Sequence, residues 1–379
     1  MNLKYTPILF MCCLLTLLLL LGGCGSQPAA NQQHPANSET STASTTTASG
    51  ESTSTSTSEN ANAATSDSKT TSTTMSGTMN GSAGEPTTLT VGGPQSPPSL
   101  PILRMMDSHA MGENVQIEFK TWESMDTLGA LAKDKNVSFV ALPLNNAVIM
   151  YNKGMDLSLM NINTWSVMGM VTTDPSVKEW KDLEGTVLYV PMKSSPVDYI
   201  TQTFLKHNGL IPGKDITLQY SQIAEGAQML LSGKASTIVS IQPQITAIQM
   251  KNEQVRSIVD YKKEWQDVTQ LTTDLPNAGL ATKQSVIASD PELVARFQEE
   301  YKQALQWTLD HPREAALLAN KYFKLDSEVV EKAIPHIALE FAPAWESKEV
   351  LTKYYETLFE YSKDSIGGKL PDETFYYQP

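Results

Sequence analysis

The sequence predicts an α/β protein of two similar lobes with mostly parallel sheets, joined by two crossing strands, with a ligand cleft between the lobes. Three observations predict it. From Leu89 onward, strand-like and helix-like segments alternate, as βαβ units do. The stretch VALPLNNAVIM (140–150) returns about a hundred residues later as VSIQPQITAIQM (239–250), which sets Pro143 against Pro243, Ala147 against Ala247 and Met150 against Met250. In the same order, LTVGGPQSPPSLPI (89–102) returns as VLYVPMKSSPVDYI (187–200), setting Ser96 against Ser194 and Pro98 against Pro196. Two echoes at nearly one offset read as a duplication.

The chain begins with Lys4, an apolar run from Ile8 to Leu21, then Gly22, Gly23 and Cys24. That is the pattern of an export signal, short for a membrane span. Leu21-Gly22-Gly23-Cys24 resembles the lipobox of bacterial lipoproteins. The resemblance implies removal of residues 1–23, lipidation of Cys24 and attachment to the outer face of the cell membrane. The three cysteines are Cys12, Cys13 and Cys24, so residues 25–379 have no thiol for a disulfide, a nucleophile or a metal. Residues 24–86 are dominated by Ser and Thr and hold too few apolar side chains to form a core. They read as a tether with a reach of about 40–50 Å. The net charge of −13 argues against nucleic acid as a partner.

The folded part then reads as lobe 1 over 87–174, lobe 2 over 175–272, and a return to lobe 1 over 273–379. In lobe 1, LTVGG is a short strand and LPILRMMDSHA has helical spacing. VQIEFKTW alternates as a strand does, and SMDTLGALAKDK is a helix capped by Ser124. VSFVALP is a buried strand, and NNAVIMYNKG a helix stopped by Gly154. LSLMNI and WSVMGMVTT are further strands, the second a crossing. Lobe 2 repeats the order: TVLYVPM, then a helix ending at Gly209, ITLQYS, AEGAQMLLSGK, STIVSIQP and QITAIQMKN. LPNAGLATKQSVI resumes strand character and holds the second crossing. The rest is helical, opening at Asp290-Pro291 as N-cap and first residue. Phe297, Tyr301 and Trp307 read as core packing.

This ordered set of segments resembles the periplasmic-binding-protein type II receptors of ABC importers, in the sulfonate/taurine/nitrate branch. The resemblance rests on FKTWESMDTLGALAKDKNVSFVALPLNNAVIMYNKG, WKDLEGTVLYVPMKSSPVDYITQTFLKHNGL, AEGAQMLLSGKASTIVSIQPQ, LPNAGLATK and the C-terminal helices, and covers nearly all of 87–377. It implies an extracytoplasmic lipoprotein, a monomer, that captures a small organic molecule and delivers it to a membrane permease with its ATPase. Many relatives carry Glu-Pro where this chain has Gln242-Pro243. A ligand-binding input domain of a membrane sensor and a pyrimidine-precursor synthase are the alternative readings.

In open α/β sheets, ligands sit beyond the carboxyl ends of the strands. The candidate contacts are therefore Gln95, Ser96 and Pro97 after the first strand, and Asn145 and Asn146 after the third. Their counterparts are Ser194 and Ser195, and Gln242 with Gln244. Trp165 and Asn277 stand on the crossings. Each Ser or Asn could instead cap its helix. No Arg falls on these loops and Lys193 is their one cation, which favours a neutral or singly charged ligand over a strongly anionic one. The five histidines show no metal-ligand spacing, and Ser194 and Ser195 lack a nucleophile-elbow context. No cofactor and no catalytic residue is expected.

Overall fold

The computed structural model describes residues 87–379. The expectations for residues 1–86, including the signal segment, Cys24 and the Ser/Thr-rich stretch, lie outside the described residues.

Three strand–helix units open the chain. They are β1 (Thr87–Gly93) with α1 (Leu100–Asp107), β2 (Val115–Thr121) with α2 (Met125–Lys133), and β3 (Val137–Pro143) with α3 (Leu144–Asn152). Next come β4 (Ser158–Trp165) and β5 (Met168–Thr172). The series then repeats as β6 (Val187–Pro191), α4 (Pro196–His207), β7 (Thr217–Ser221), α5 (Ile223–Leu231), β8 (Thr237–Ile241) and α6 (Gln244–Lys251), followed by β9 (Arg256–Val259) and α7 (Tyr261–Thr269). The chain ends with β10 (Pro276–Thr282), α8 (Gln284–Ser289), α9 (Pro291–Asp310), α10 (Pro312–Phe323), α11 (Ser327–Ala333), β11 (Ala338–Pro343) and α12 (Lys348–Tyr361).

Local chemistry fixes many of these boundaries. Ser124 accepts the Thr127 N–H to start α2, and Asp290 accepts the Leu293 N–H to start α9. Gly154 and Gly209 stop α3 and α4 at φ of 80°, a backbone that a side chain would strain.

The first sheet runs β2-β1-β3-β10-β4-β11 and the second β7-β6-β8-β5-β9. The duplication predicted from sequence is visible strand by strand. In each sheet three parallel strands come first: β2-β1-β3 in one and β7-β6-β8 in the other. An antiparallel strand follows in each, β10 beside β3 and β5 beside β8. A further antiparallel strand follows these, β4 beside β10 and β9 beside β5. Both sheets are thus mixed rather than mostly parallel, because one strand at each crossing, β10 in the first sheet and β5 in the second, runs against the βαβ units. Phe139 and Val239 fall on the equivalent strands β3 and β8, and Pro143 and Pro243 on the equivalent caps of α3 and α6.

Three expectations change. WSVMGMVTT is not one strand: Ser166 turns to a φ of 43°, so β4 ends in the first sheet and β5 begins in the second. The change of lobe therefore comes ahead of residue 174. LPNAGLATKQSVI is a strand only to Thr282, after which α8 begins. β9, α7 and β11 are additional elements. The core absorbs Phe297 and Tyr301 as expected: the Phe297 ring stacks on Phe139 at 3.7 Å, and the buried Tyr301 hydroxyl donates to the Pro98 carbonyl at 2.8 Å. That bond ties α9 to the β1–α1 turn. Trp307 is only half-buried and lies under the Arg104 guanidinium at 4.3 Å.

Candidate ligand-binding cleft

Strand pairing alone determines which loops face the crossing. β4 ends where the chain leaves the first sheet, and β10 and β3 alternate in direction from it, so β3 ends at the same edge. β1 and β2 run parallel to β3 and end there too. In the second sheet β5 begins at the crossing, and its antiparallel neighbour β8 ends there, with β6 and β7. The turns after β1, β3, β6 and β8 therefore lie at the facing edges of the two lobes. These are the four duplicated turns.

The two connections are tied together. The Ser166 N–H donates to the Leu275 carbonyl at 2.8 Å, and the Leu275 N–H donates to Ser166 Oγ at 3.3 Å. The Gln242 N–H reaches back to the Val167 carbonyl at 2.9 Å. A further bridge comes from α12, whose end packs on α4: Tyr361 stacks on Tyr199 at 5.5 Å, and Lys206 Nζ sits 4.2 Å from the Tyr361 ring centre.

The predicted contact residues divide by environment. Gln95 is exposed, Ser96 half-buried and Pro97 buried. Ser96 and Pro97 meet Pro243 of the other lobe around a cavity of ≈ 10 Å³, closed by Leu100, Leu325, Val330, Ala333 and Ile337. Such a void is at the limit for one water, so the lobes touch there through apolar groups. Asn145 is 8% exposed and its Oδ1 has no hydrogen-bond partner, a costly state for a buried acceptor. Asn146 Nδ2 donates instead to the Met125 sulfur at 3.1 Å. Ser195 caps α4, accepting the Asp198 N–H at 3.3 Å and donating to the Pro191 carbonyl at 3.2 Å. Gln242 Oε1 accepts from Thr246 Oγ1 at 2.8 Å and from the Thr246 N–H at 3.3 Å, so it caps α6. Ser194 is exposed at a φ of 63°. Trp165 is buried, and its indole N–H donates to the Glu340 carbonyl at 2.9 Å. It lines a separate cavity of ≈ 460 Å³ with Lys262, Asp274, Glu346 and Glu349. Asn277 is half-buried on β10.

Two residues that sequence reasoning passed over organise the second lobe's edge. Asp198, 2% exposed in the first turn of α4, accepts the Ser194 N–H at 2.8 Å, Gln202 Nε2 at 2.8 Å and the Tyr220 hydroxyl at 3.1 Å. A carboxylate is stable there because the helix N-terminus carries partial positive charge. Ser195-x-x-Asp198 has capping-box spacing, which was the available signal. Burial, and then the Asp198 charge, pushes the Tyr220 hydroxyl up to about 12, so it remains a donor at neutral pH. Lys193 Nζ stands 5.7 Å from the centre of the Tyr220 ring.

Two half-equivalent sheets with facing strand ends and paired, bonded crossings define a two-lobed architecture. Residues 112–315 match the NMT1/THI5-like family model, more than half of the chain, and the chain belongs to that family. No curated protein matches the chain in sequence. Its fold is that of several solved binding proteins. An ABC transporter protein from Parabacteroides distasonis superposes with a TM-score of 0.65 at 19% identity, over 77% of this chain and 99% of that one. The periplasmic aliphatic sulphonate binding protein from Escherichia coli gives 0.64 at 15% identity, over 78% and 93%. The periplasmic nitrate-binding protein from Synechocystis gives 0.53 at 13% identity, over 74% and 84%. Among the described residues, no helix is long and apolar enough to cross a membrane.

Proposed function

We propose that this protein is the extracytoplasmic substrate-binding component of an ABC importer. It captures a small organic molecule between its lobes and presents it to a permease. The observation that carries the reading is the pair of duplicated sheets whose strand ends face each other across bonded crossings. Such a hinge lets two packed bodies rock about a few residues while each keeps its core. The tight apolar contact around Pro243 belongs to a state in which the lobes meet, so a ligand enters when they part. Lipidation at Cys24 would hold the receptor near its permease, and palmitate labelling should disappear in Cys24→Ala. Labelling that persists would remove the anchor from this account.

The contact residues we propose are Ser96, Asn145 and Ser194, with Gln242 Nε2 beside its capping Oε1. Asn145→Ala deletes a buried acceptor that no described protein group satisfies. It should weaken ligand binding about 2- to 13-fold, by roughly 0.5–1.5 kcal/mol, while the melting temperature stays level or rises. Gln242→Ala should weaken binding and also lower the melting temperature, since it uncaps α6. The assay is native mass spectrometry of the exported protein, followed by titration with the molecule it retains. Undiminished binding in the Asn145 variant would move the ligand away from this edge.

A further inference from the structure

The chemistry at the second lobe's edge speaks to the ligand's charge, an inference that rests on the binding-protein reading above. An oxyanion-binding cleft needs free N–H donors or a guanidinium. Here several backbone donors at two turns are engaged within the chain. In the β1–α1 turn, Pro97, Pro98 and Pro101 have no N–H, and those of Ser99 and Leu100 bond to the Ser96 and Pro97 carbonyls. At α4, Asp198 takes the Ser194 N–H and Ser195 takes the Asp198 N–H. No Arg lies on any facing turn: Arg104 is on α1 over Trp307, Arg256 bonds to the Asp174 and Val177 carbonyls, and Arg296 and Arg313 are on α9 and α10.

What remains is a buried negative charge. None of the ion pairs among the described residues includes Asp198, and its three partners are neutral donors. Its field reaches the edge through Tyr220, whose hydroxyl points at the carboxylate. A cation over a tyrosine face is attracted by the ring, more so when that ring donates to an anion. The chain's own Lys193 holds this position. It is exposed, and it is presented by a turn in which Met192 and Ser194 both take left-handed backbone, at φ of 49° and 63°.

We propose that the ligand carries an organic ammonium group, which displaces Lys193 from the Tyr220 face and lies in the field of Asp198. Lys193 is then a competitor for the ligand's charged end, and not a contact for an oxyanion. The two roles predict opposite effects for one surface substitution.

The test compares propylammonium, propanesulfonate and propanol by calorimetric titration of the intact exported protein and of Lys193→Ala. Fragments this small are expected to bind at about millimolar strength. Propylammonium should bind the unaltered protein more tightly than the other two, and Lys193→Ala should tighten it several-fold. Asp198→Asn should loosen it on the order of tenfold, through loss of the nearby charge. If Asp198→Asn does not fold, Tyr220→Leu, which removes the ring face, serves in its place with the same expected direction. The inference is overturned if propanesulfonate binds best and Lys193→Ala weakens it. That outcome leaves the binding-protein reading standing with an oxyanion ligand. It is equally overturned if none of the three probes gives heat. The binding-protein reading then depends on lobe closure, which is measured independently.

Discussion

A Gly279→Ala protein should lose about 3 kcal/mol of stability or more, a drop of roughly 6–12 °C in melting temperature. Gly279 lies on β10, between β3 and β4, and the strand carries the chain back from the second lobe. An added Cβ would stand 1.9 Å from the Asn161 carbonyl oxygen, a backbone atom that cannot rotate aside. The close approach comes from an irregular β4–β10 pairing, whose register shifts on both sides of this point. Buried Asn161 repairs the irregularity: its Oδ1 accepts the Leu280 N–H at 3.3 Å and Asn163 Nδ2 at 3.2 Å. Thr164 in turn donates to Asn163 Oδ1 at 2.9 Å. Moving Asn161 away would therefore disrupt a connected polar network inside the sheet. Gly129→Ala is the control. It sits in α2 with nothing within 4 Å of its added Cβ, and should stabilise by up to about 1 kcal/mol. If both variants melt with the parent protein, the tight β4–β10 contact is not a feature of the protein in solution.

Much of the fold was legible because its causes are local or repetitive. Alternation in VQIEFKTW and the Ser124 cap are visible within a few residues, and the duplicated phrases survive because equivalent turns must close equivalent βαβ units. The break at Ser166 was not legible. An apolar run reads the same whether it stays in one sheet or passes to another, and only its partners distinguish the cases. β9 and β11 are edge strands in which only Leu339 is buried, so RSIV and ALEFAP carry no clean apolar–polar alternation. The candidate site was legible in place but not in detail. Sequence located the facing turns from strand ends, yet capping and ligand contact call for the same Ser, Asn and Gln side chains. Only geometry separates Ser195 and Gln242, which cap, from Asn145, whose Oδ1 is unpartnered. Asp198 was missed because its importance comes from Gln202 and Tyr220, and Tyr220 is brought to it by the fold.

The second large effect expected is closure of the lobes, and it tests the central claim most directly. The described residues contain no cysteine, so a pair of spin labels can be placed without background within them. Leu317 on α10 and Ile211 after α4 are 55% and 49% exposed and lie on different lobes, away from the proposed contacts. Labels at Leu317→Cys and Ile211→Cys report the separation of the lobes by pulsed electron–electron resonance. The distance distribution should be recorded in buffer, then with pools of small organic ammonium, neutral and sulfonate compounds. A ligand that contacts both lobes shifts the population toward the closed arrangement by its differential affinity for it. The account predicts that any pool raising the melting temperature also changes the distribution, moving it toward one closed distance. A pool that stabilises the protein and leaves the distribution unchanged would mean that the ligand binds one lobe alone, and that the facing turns do not form a shared site.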